Sequence, residues 1–289
     1  MRIGMIGLGA MGMHMARNLH RGGELRGVWN RTTIKAEALA DELGITAYES
    51  PVDLARACDT VVICVSADAD LRAVVQALQP ALSSGSLVID CSTVSAATAR
   101  ELHASLAAQG VGFLDCPVSG GVEGARLATL AIMVGGDRDV FERGRAVLER
   151  LGRTITWFGP SGAGQAAKAT NQILCAGHIQ VAAEAMAFAK AEGLPLDALI
   201  DTLGKGAGSS WYFVNRAPYM AQEQYPAGFR VRLHDKDLRI CRQMAAAHGA
   251  TLPTVESTLK LYETLIAQGY GDEDVSALFR LTSRLFPHG

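Results

Sequence analysis

Apolar blocks and amphipathic stretches alternate through the first half of the chain. Short apolar runs at Arg2–Gly7, Leu25–Trp29, Thr60–Val65, Ser86–Cys91, Val111–Cys116, Ala131–Gly135 and Thr154–Trp157 have the length and content of strands. Between them, Ala10–Arg21, Ile34–Leu43, Asp68–Leu78 and Ser95–Gln109 read as helices. Strands that are apolar throughout and separated by helices predict parallel strands buried on both faces. That is the pattern of a doubly wound α/β sheet.

The pattern changes after Phe158-Gly159-Pro160-Ser161-Gly162, beyond which no run reads convincingly as a strand. Residues Ala163–Glu192 read as one helix, about 45 Å long at 1.5 Å per residue. Its apolar residues, Ile173, Leu174, Ile179, Val181, Met186 and Phe188, fall on several faces, so burial between packed elements is expected. Shorter helices follow at about 195–204, 209–221, 233–248, 252–268 and 274–286. The expected organisation is a dinucleotide-binding domain over 1–160 and an all-helical domain over 161–289, joined by the long helix.

Composition narrows the function classes. The 289 residues are 49% hydrophobic and carry a formal charge of −2, so no global field favours nucleic acid or a membrane surface. Six cysteines are spread without Cys-x-x-Cys spacing, which suits small buried hydrophobes in a reducing compartment and offers no metal site. Four glycines interrupt the apolar N-terminal stretch, Arg17 and Asn18 follow it, and no small-residue cleavage site is present. No segment holds the ~18 uninterrupted apolar residues of a membrane span. A cytoplasmic location is expected.

The first strand runs into Gly7-Leu8-Gly9-Ala10-Met11-Gly12, a helix follows, and a second strand comes at the distance a βαβ unit requires. In that setting Gly7 permits the tight turn, Gly9 the approach of backbone to a pyrophosphate, and Gly12 the packing of helix on strand. The helix N-terminus favours phosphate charge. This is the signature of a Rossmann-type sheet binding a nicotinamide dinucleotide. At the end of the second strand, where a carboxylate would take the ribose hydroxyls of NAD, stand Trp29-Asn30-Arg31-Thr32. Arg31 can meet a 2′-phosphate with planar, charge-assisted hydrogen bonds, so NADP(H) is expected over NAD(H). The alternative is a solvated Arg31 with loose coenzyme choice.

Hydride transfer needs a group to manage the proton on the substrate oxygen. Neither Tyr-x-x-x-Lys nor a zinc-ligand cluster is present, and there are only six lysines. Lys168 and Asn171 stand three apart on the long helix, on one face, which makes Lys168 the candidate proton handler. Asp115-Cys116-Pro117-Val118-Ser119-Gly120-Gly121 follows a strand at its carboxyl end, where ligands bind in such sheets. Its hydroxyl and successive N–H groups suit a substrate carboxylate, unless it is only a glycine turn.

Taken together, the chain resembles the β-hydroxyacid dehydrogenase family, which includes 3-hydroxyisobutyrate dehydrogenases, tartronate semialdehyde reductases and glyoxylate/succinic semialdehyde reductases. The matching segments are 7–12 running on to Met15–Leu19, 115–121, Gly162–Asn171, Leu233–Leu238 and Asp274–Ala277. They span almost the whole chain in order. The resemblance implies that Lys168 donates the proton during reduction and that Asn171 orients substrate or lysine, with Gln172 a weaker substitute. It implies that Ser119, Gly120 and Gly121 hold the carboxylate of a small substrate. Thr93 would lie near the nicotinamide ribose and substrate, Lys236 would close over the nicotinamide, and Phe229 and Asp237 would line or support the site. It also implies a homodimer or homotetramer. Where many members have Met-Leu-Pro, this chain has Cys64-Val65-Ser66, so the coenzyme contacts of Cys64 and Val65 would be through backbone. Trp211 and Arg216, in the most individual stretch, either reach the pocket or serve as helix packing and a surface arginine. The rivals are an imine reductase and a 6-phosphogluconate dehydrogenase, and, in a different class, a non-catalytic NADP-binding sensor. The retained Lys168 speaks against the imine reductase and the sensor. The length and the lack of a basic cluster speak against the 6-phosphogluconate dehydrogenase.

Overall fold

The computed structural model describes residues 1–286; the last three residues of the expected second domain, 287–289, lie outside the described residues. Its strands are β1 (Ile3–Ile6), β2 (Leu25–Trp29), β3 (Thr46–Ala47), β4 (Thr60–Ile63), β5 (Leu87–Asp90), β6 (Gly112–Asp115), β7 (Val118–Ser119), β8 (Leu130–Gly135) and β9 (Gly152–Gly159). Its helices are α1 (Gly12–Arg21), α2 (Thr33–Leu43), α3 (Pro51–Ala57), α4 (Asp68–Leu78), α5 (Ala96–Ala107), α6 (Gly121–Leu127), α7 (Arg138–Glu149), α8 (Ala163–Ala191), α9 (Leu196–Leu203), α10 (Trp211–Ala221), α11 (Val231–Ala246), α12 (Pro253–Ala267) and α13 (Phe279–Thr282). The chain divides into compact units 1–168 and 169–289. The division falls inside α8.

In the first unit the strands form one sheet in the order β3-β2-β1-β4-β5-β6-β8-β7, with β9 beside β8. From β3 to β6 all neighbours are parallel. Every residue of β1, β4 and β5 is buried. Alternation sends Val62, Ile89 and Leu114 into one core with α1, α2 and α7, and Val61, Ile63, Val88 and Phe113 into the other with α3, α4 and α5. Each such buried apolar side chain contributes roughly 1.5–3 kcal/mol, which holds even these short strands in the sheet. Chain order reverses between β1 and β4, so their carboxyl ends flank the crevice in which sheets of this type bind ligands.

One expectation is corrected at the far edge. β8 runs antiparallel to β6 and to β7, although β9 is again parallel to β8. A parallel return needs a crossover of a dozen or more residues over the sheet. Here the link from β6 is taken up by β7 and α6, and Asn18 on α1 donates to the carbonyl of Ala125 on α6. Strands β3 and β7 and helices α3 and α7 had not been expected.

The second unit, among the described residues, is helical. Ile179, Ala183 and Met186 of α8 pack with Val231, Leu238, Val255, Leu259, Tyr262 and Phe279. The expectation that α8 is buried all round does not hold within this chain. Leu174, Val181 and Phe188 are 57%, 64% and 54% exposed and recur every seven residues along one stripe. The helix expected at 274–286 is instead a 3-10 turn (Val275–Leu278), the short α13 and a second 3-10 turn (Ser283–Leu285). The buried Asp274 side chain accepts from the N–H groups of Phe229 and Ser276, which starts the first turn and ties it to the loop before α11.

Candidate active site

The glycine loop has the shape a dinucleotide requires. Gly7 has φ +89°, and a Cβ there would stand 2.2 Å from the carbonyl oxygen of Cys64. At Gly12 a Cβ would meet the carbonyl oxygen of Gly7 at 1.9 Å, so α1 approaches β1 only with glycine there. At Gly9 nothing lies within 4 Å of the added carbon. The open side of the loop is therefore where a ligand can come against backbone. No side chain caps the start of α1, and its first turn has no acidic residue. Its N–H groups and dipole suit a pyrophosphate. The residues present fit a nicotinamide dinucleotide.

Leu8 fixes the next element: its N–H donates to Asn30 Oδ1 at 2.9 Å, and Asn30 Nδ2 donates to the carbonyl of Thr32 at 3.0 Å. Asn30 thus works as a brace between the glycine loop and the end of β2. Arg31 extends beyond it, with Nη1 2.8 Å from Asp70 Oδ1 in the first turn of α4.

At the end of β4, the N–H of Val65 donates to Ser92 Oγ at 2.9 Å, which links the Cys64–Val65 segment to the loop carrying Thr93. That loop is gripped from the other side by Gln165. Its Nε2 donates to the Ser92 carbonyl at 2.9 Å, and its Oε1 accepts from the Val94 N–H at 3.2 Å. The carboxamide therefore brackets Thr93 as a neighbouring strand would. Asp115, at the end of β6, accepts from the N–H groups of Gly162 and Gln165 at 2.8 and 3.0 Å and so caps α8. Burial pushes its carboxyl above the usual range, against the opposing pull of those donors. Lys168, 7% exposed, is on α8 one turn after Gln165. Ser119 ends β7, opposite Ala131 of β8, and Gly120 and Gly121 open α6 without a side-chain cap. Burial raises the Cys91 and Cys116 thiols well above their ordinary range, which suits core packing rather than chemistry.

In the second unit, α11 turns His234, Asp237, Leu238 and Cys241 to one side, at i, i+3, i+4 and i+7. Asn171 Nδ2 donates to Gln172 Oε1 at 2.8 Å, Gln172 Nε2 donates to Asp237 Oδ2 at 2.7 Å, and Lys236 Nζ lies 2.9 Å from Asp237 Oδ1. His234, fully buried, has Nε2 3.2 Å from the Gln172 carbonyl and Nδ1 2.9 Å from the Tyr262 hydroxyl. A carbonyl only accepts, so Nε2 carries a hydrogen, and in the neutral ring Nδ1 is then the acceptor for the Tyr262 hydroxyl. The Phe229 ring packs against His234 at 5.1 Å. Three of the expected site residues, Asn171, Asp237 and Lys236, are thus linked through Gln172 by two hydrogen bonds and an ion pair.

Arg216 is not the surface arginine that one of its two readings expected. Its side chain is 13% exposed and lies between Trp211 and Tyr219, with Nε 3.1 Å from Asp274 in an ion pair whose angle does not make a hydrogen bond. Sequence reasoning did not find Gln165 or the capping role of Asp115, and it placed Gln172 second to Asn171. A glutamine inside an apolar helix was the available signal, since burial of a carboxamide demands partners.

Known proteins agree with this architecture. Residues 2–159 match the model for the NAD binding domain of 6-phosphogluconate dehydrogenase, and residues 162–282 that for the NAD-binding region of NADP-dependent 3-hydroxyisobutyrate dehydrogenase. A 2-hydroxy-3-oxopropionate reductase of Escherichia coli is 34% identical over 100% of this chain and 99% of its own. An NAD-dependent L-serine dehydrogenase of Pseudomonas aeruginosa is 34% identical over 97% of each. The structure of a Mycobacterium tuberculosis 3-hydroxyisobutyrate dehydrogenase with L-serine superimposes with TM-score 0.89 at 33% identity, covering 97% of this chain and 98% of that one. The chain belongs to the β-hydroxyacid dehydrogenase family and is an NAD(P)-dependent oxidoreductase acting on hydroxyl groups.

Proposed function

We propose that the protein interconverts a small carboxylate-bearing semialdehyde, of the tartronate, methylmalonate or succinate type, and its β-hydroxy acid, using NADP(H) in preference to NAD(H). The bound nicotinamide supplies or accepts the hydride. The observation that carries the proposal is Lys168: a nearly buried cation on a helix whose first turn is held by Asp115 and by the Gln165 grip on the Thr93 loop. An ammonium so held stabilises negative charge developing on the substrate oxygen and delivers its proton there. Asn171, one turn further on, would orient the lysine or the substrate. Ser119 and the N–H groups of Gly120 and Gly121 would bind the carboxylate, Thr93 would contact ribose and substrate, and Lys236, set by Asp237, would contact the coenzyme beside Phe229.

The test is reduction of glyoxylate and of tartronate, methylmalonate and succinate semialdehydes with NADPH and NADH, alongside oxidation of L-serine. Serine is itself a β-hydroxy acid, and it appears in the names of two of the relatives above. Turnover favouring NADPH and falling about 10²–10⁴-fold in Lys168→Ala is expected. A variant that keeps wild-type kcat removes the lysine from the chemistry, and wild-type protein that binds NADPH but turns over none of the panel overturns the substrate class.

The second copy of this chain is the expected cover for the stripe Leu174, Val181 and Phe188, since large exposed apolar patches mark interaction surfaces. Val181→Glu should lower the sedimenting mass without loss of helix; an unchanged mass removes this stripe from the interface.

A further inference from the structure

We propose that Asp70 is a coenzyme-specificity residue, holding Arg31 in check and so narrowing the preference for NADP(H) over NAD(H); this rests on the coenzyme choice proposed above. The end of β2 lacks the carboxylate that would take ribose hydroxyls, yet a carboxylate is supplied from another element. Asp70 stands in the first turn of α4 and contacts Arg31 Nη1 at 2.8 Å.

The two partners are held unequally. The Arg31 side chain is 83% exposed, while that of Asp70 is 30% exposed and sits on the helix backbone. An anion in the first turn is also favoured by the helix dipole. Asp68, on the same turn, is not available for this role. It accepts from the Ser95 N–H, the Ser95 hydroxyl and the Thr98 hydroxyl, which bind it to the start of α5. Asp70 is thus a scaffold-borne acid, and Arg31 a tethered base that comes to it.

Its effect on the two coenzymes differs in sign. A 2′-phosphate must share the guanidinium with Asp70 or displace it, and the carboxylate repels the incoming dianion. The ribose hydroxyls of NAD(H) are donors, which a carboxylate accepts. Exposed ion pairs are individually weak, so the expected influence is a severalfold bias rather than an absolute switch.

The experiment is equilibrium titration of the whole protein with NADPH, NADH, 2′,5′-ADP and 5′-AMP, comparing wild type, Asp70→Asn, Arg31→Ala and the double variant. No turnover is required. Asp70→Asn is expected to tighten NADPH and 2′,5′-ADP about three- to tenfold, to leave NADH and 5′-AMP unchanged or weakened, and to lose most of its gain at about 1 M salt, where screening is short-ranged. In the Arg31→Ala background the gain should shrink, because the competition for the guanidinium has gone. If Asp70→Asn leaves the ratio of the two affinities unchanged while Arg31→Ala weakens NADPH, the role of Asp70 is overturned and the coenzyme choice stands. If Arg31→Ala leaves NADPH binding intact, both are overturned.

Discussion

Two glutamines seven residues apart on α8, Gln165 and Gln172, are each 1% exposed and each use both ends of the carboxamide. Gln165 spends them on backbone, on either side of Thr93. Gln172 spends them on side chains, Asn171 and Asp237, while its own carbonyl takes His234. Between them lie Lys168 and Asn171. A backbone grip sets the path of a loop and is indifferent to ionisation. A side-chain grip sets the position of a charged group, and through Asp237 it reaches the ammonium of Lys236. The same residue type therefore acts as main-chain scaffold in the first unit and as charge positioning in the second.

Gln165→Leu should separate the two most sharply. It strands the buried Ser92 carbonyl and Val94 N–H at once, and each unsatisfied buried group costs about 1–3 kcal/mol. A loss of about 2–5 kcal/mol on denaturant unfolding is expected, with a midpoint shift that is the same at pH 6 and pH 9. Loss below about 1 kcal/mol would mean the Thr93 loop holds itself.

For Gln172→Leu the expected stability cost is smaller, about 1–3 kcal/mol. The functional cost should be larger than the stability cost implies, since Asp237 and Lys236 lose their brace. Gln172→Glu tests this further. A carboxylate placed 2.7 Å from Asp237 cannot ionise together with it at no cost, so one of the pair takes a proton. A new ionisation should appear in the rate–pH profile of Gln172→Glu and be absent from Gln172→Glu/Asp237→Asn. An unaltered profile would reduce Gln172 to packing.

Much of the first unit was legible because its signals are local. Fully apolar runs gave the buried strands, and Gly7 and Gly12 have the close backbone approaches their spacing implied. The reversed β8 was not legible, because strand direction depends on where α6 packs and not on the content of Leu130–Gly135. Two-residue strands such as Thr46–Ala47 carry too little pattern to see. Among the candidate site residues, Lys168 and Asn171 stand out as charged or polar residues in apolar company, whereas Lys236 and Asp237 lie in the charged run Leu233–Leu238 and were legible only through the family resemblance. The braces do not stand out, since the Ser92 and Val94 backbone groups that fix Gln165 are more than seventy positions away in the chain. Asp115 shows the same limit from the other side. It lies inside a motif read for substrate binding and is used to cap α8.

The smallest expected effect concerns a carboxylate held by side chains in the first unit, which is the arrangement of Gln172 transferred to a titrating group. Burial alone would raise the Asp68 carboxyl, but the donors from Ser95 and Thr98 outweigh it and hold the group below its ordinary value. A folded-state value below the unfolded one means that the stabilisation is present above the ordinary carboxylate range and is lost as pH falls from there through the lower folded-state value. Asp68→Asn should therefore cost on the order of 1 kcal/mol at neutral pH, discounted for partial exposure, and the gap from wild type should close below about pH 4. Asp115, shifted the other way by burial, gives no such acid-labile stabilisation. Paired urea titrations of wild type and Asp68→Asn at pH 7 and at pH 3.5 measure this. A gap that persists unchanged at the lower pH would show that Asp68 contributes through neutral hydrogen bonding alone, and that side-chain bracing in this unit is as indifferent to charge as the backbone grip of Gln165.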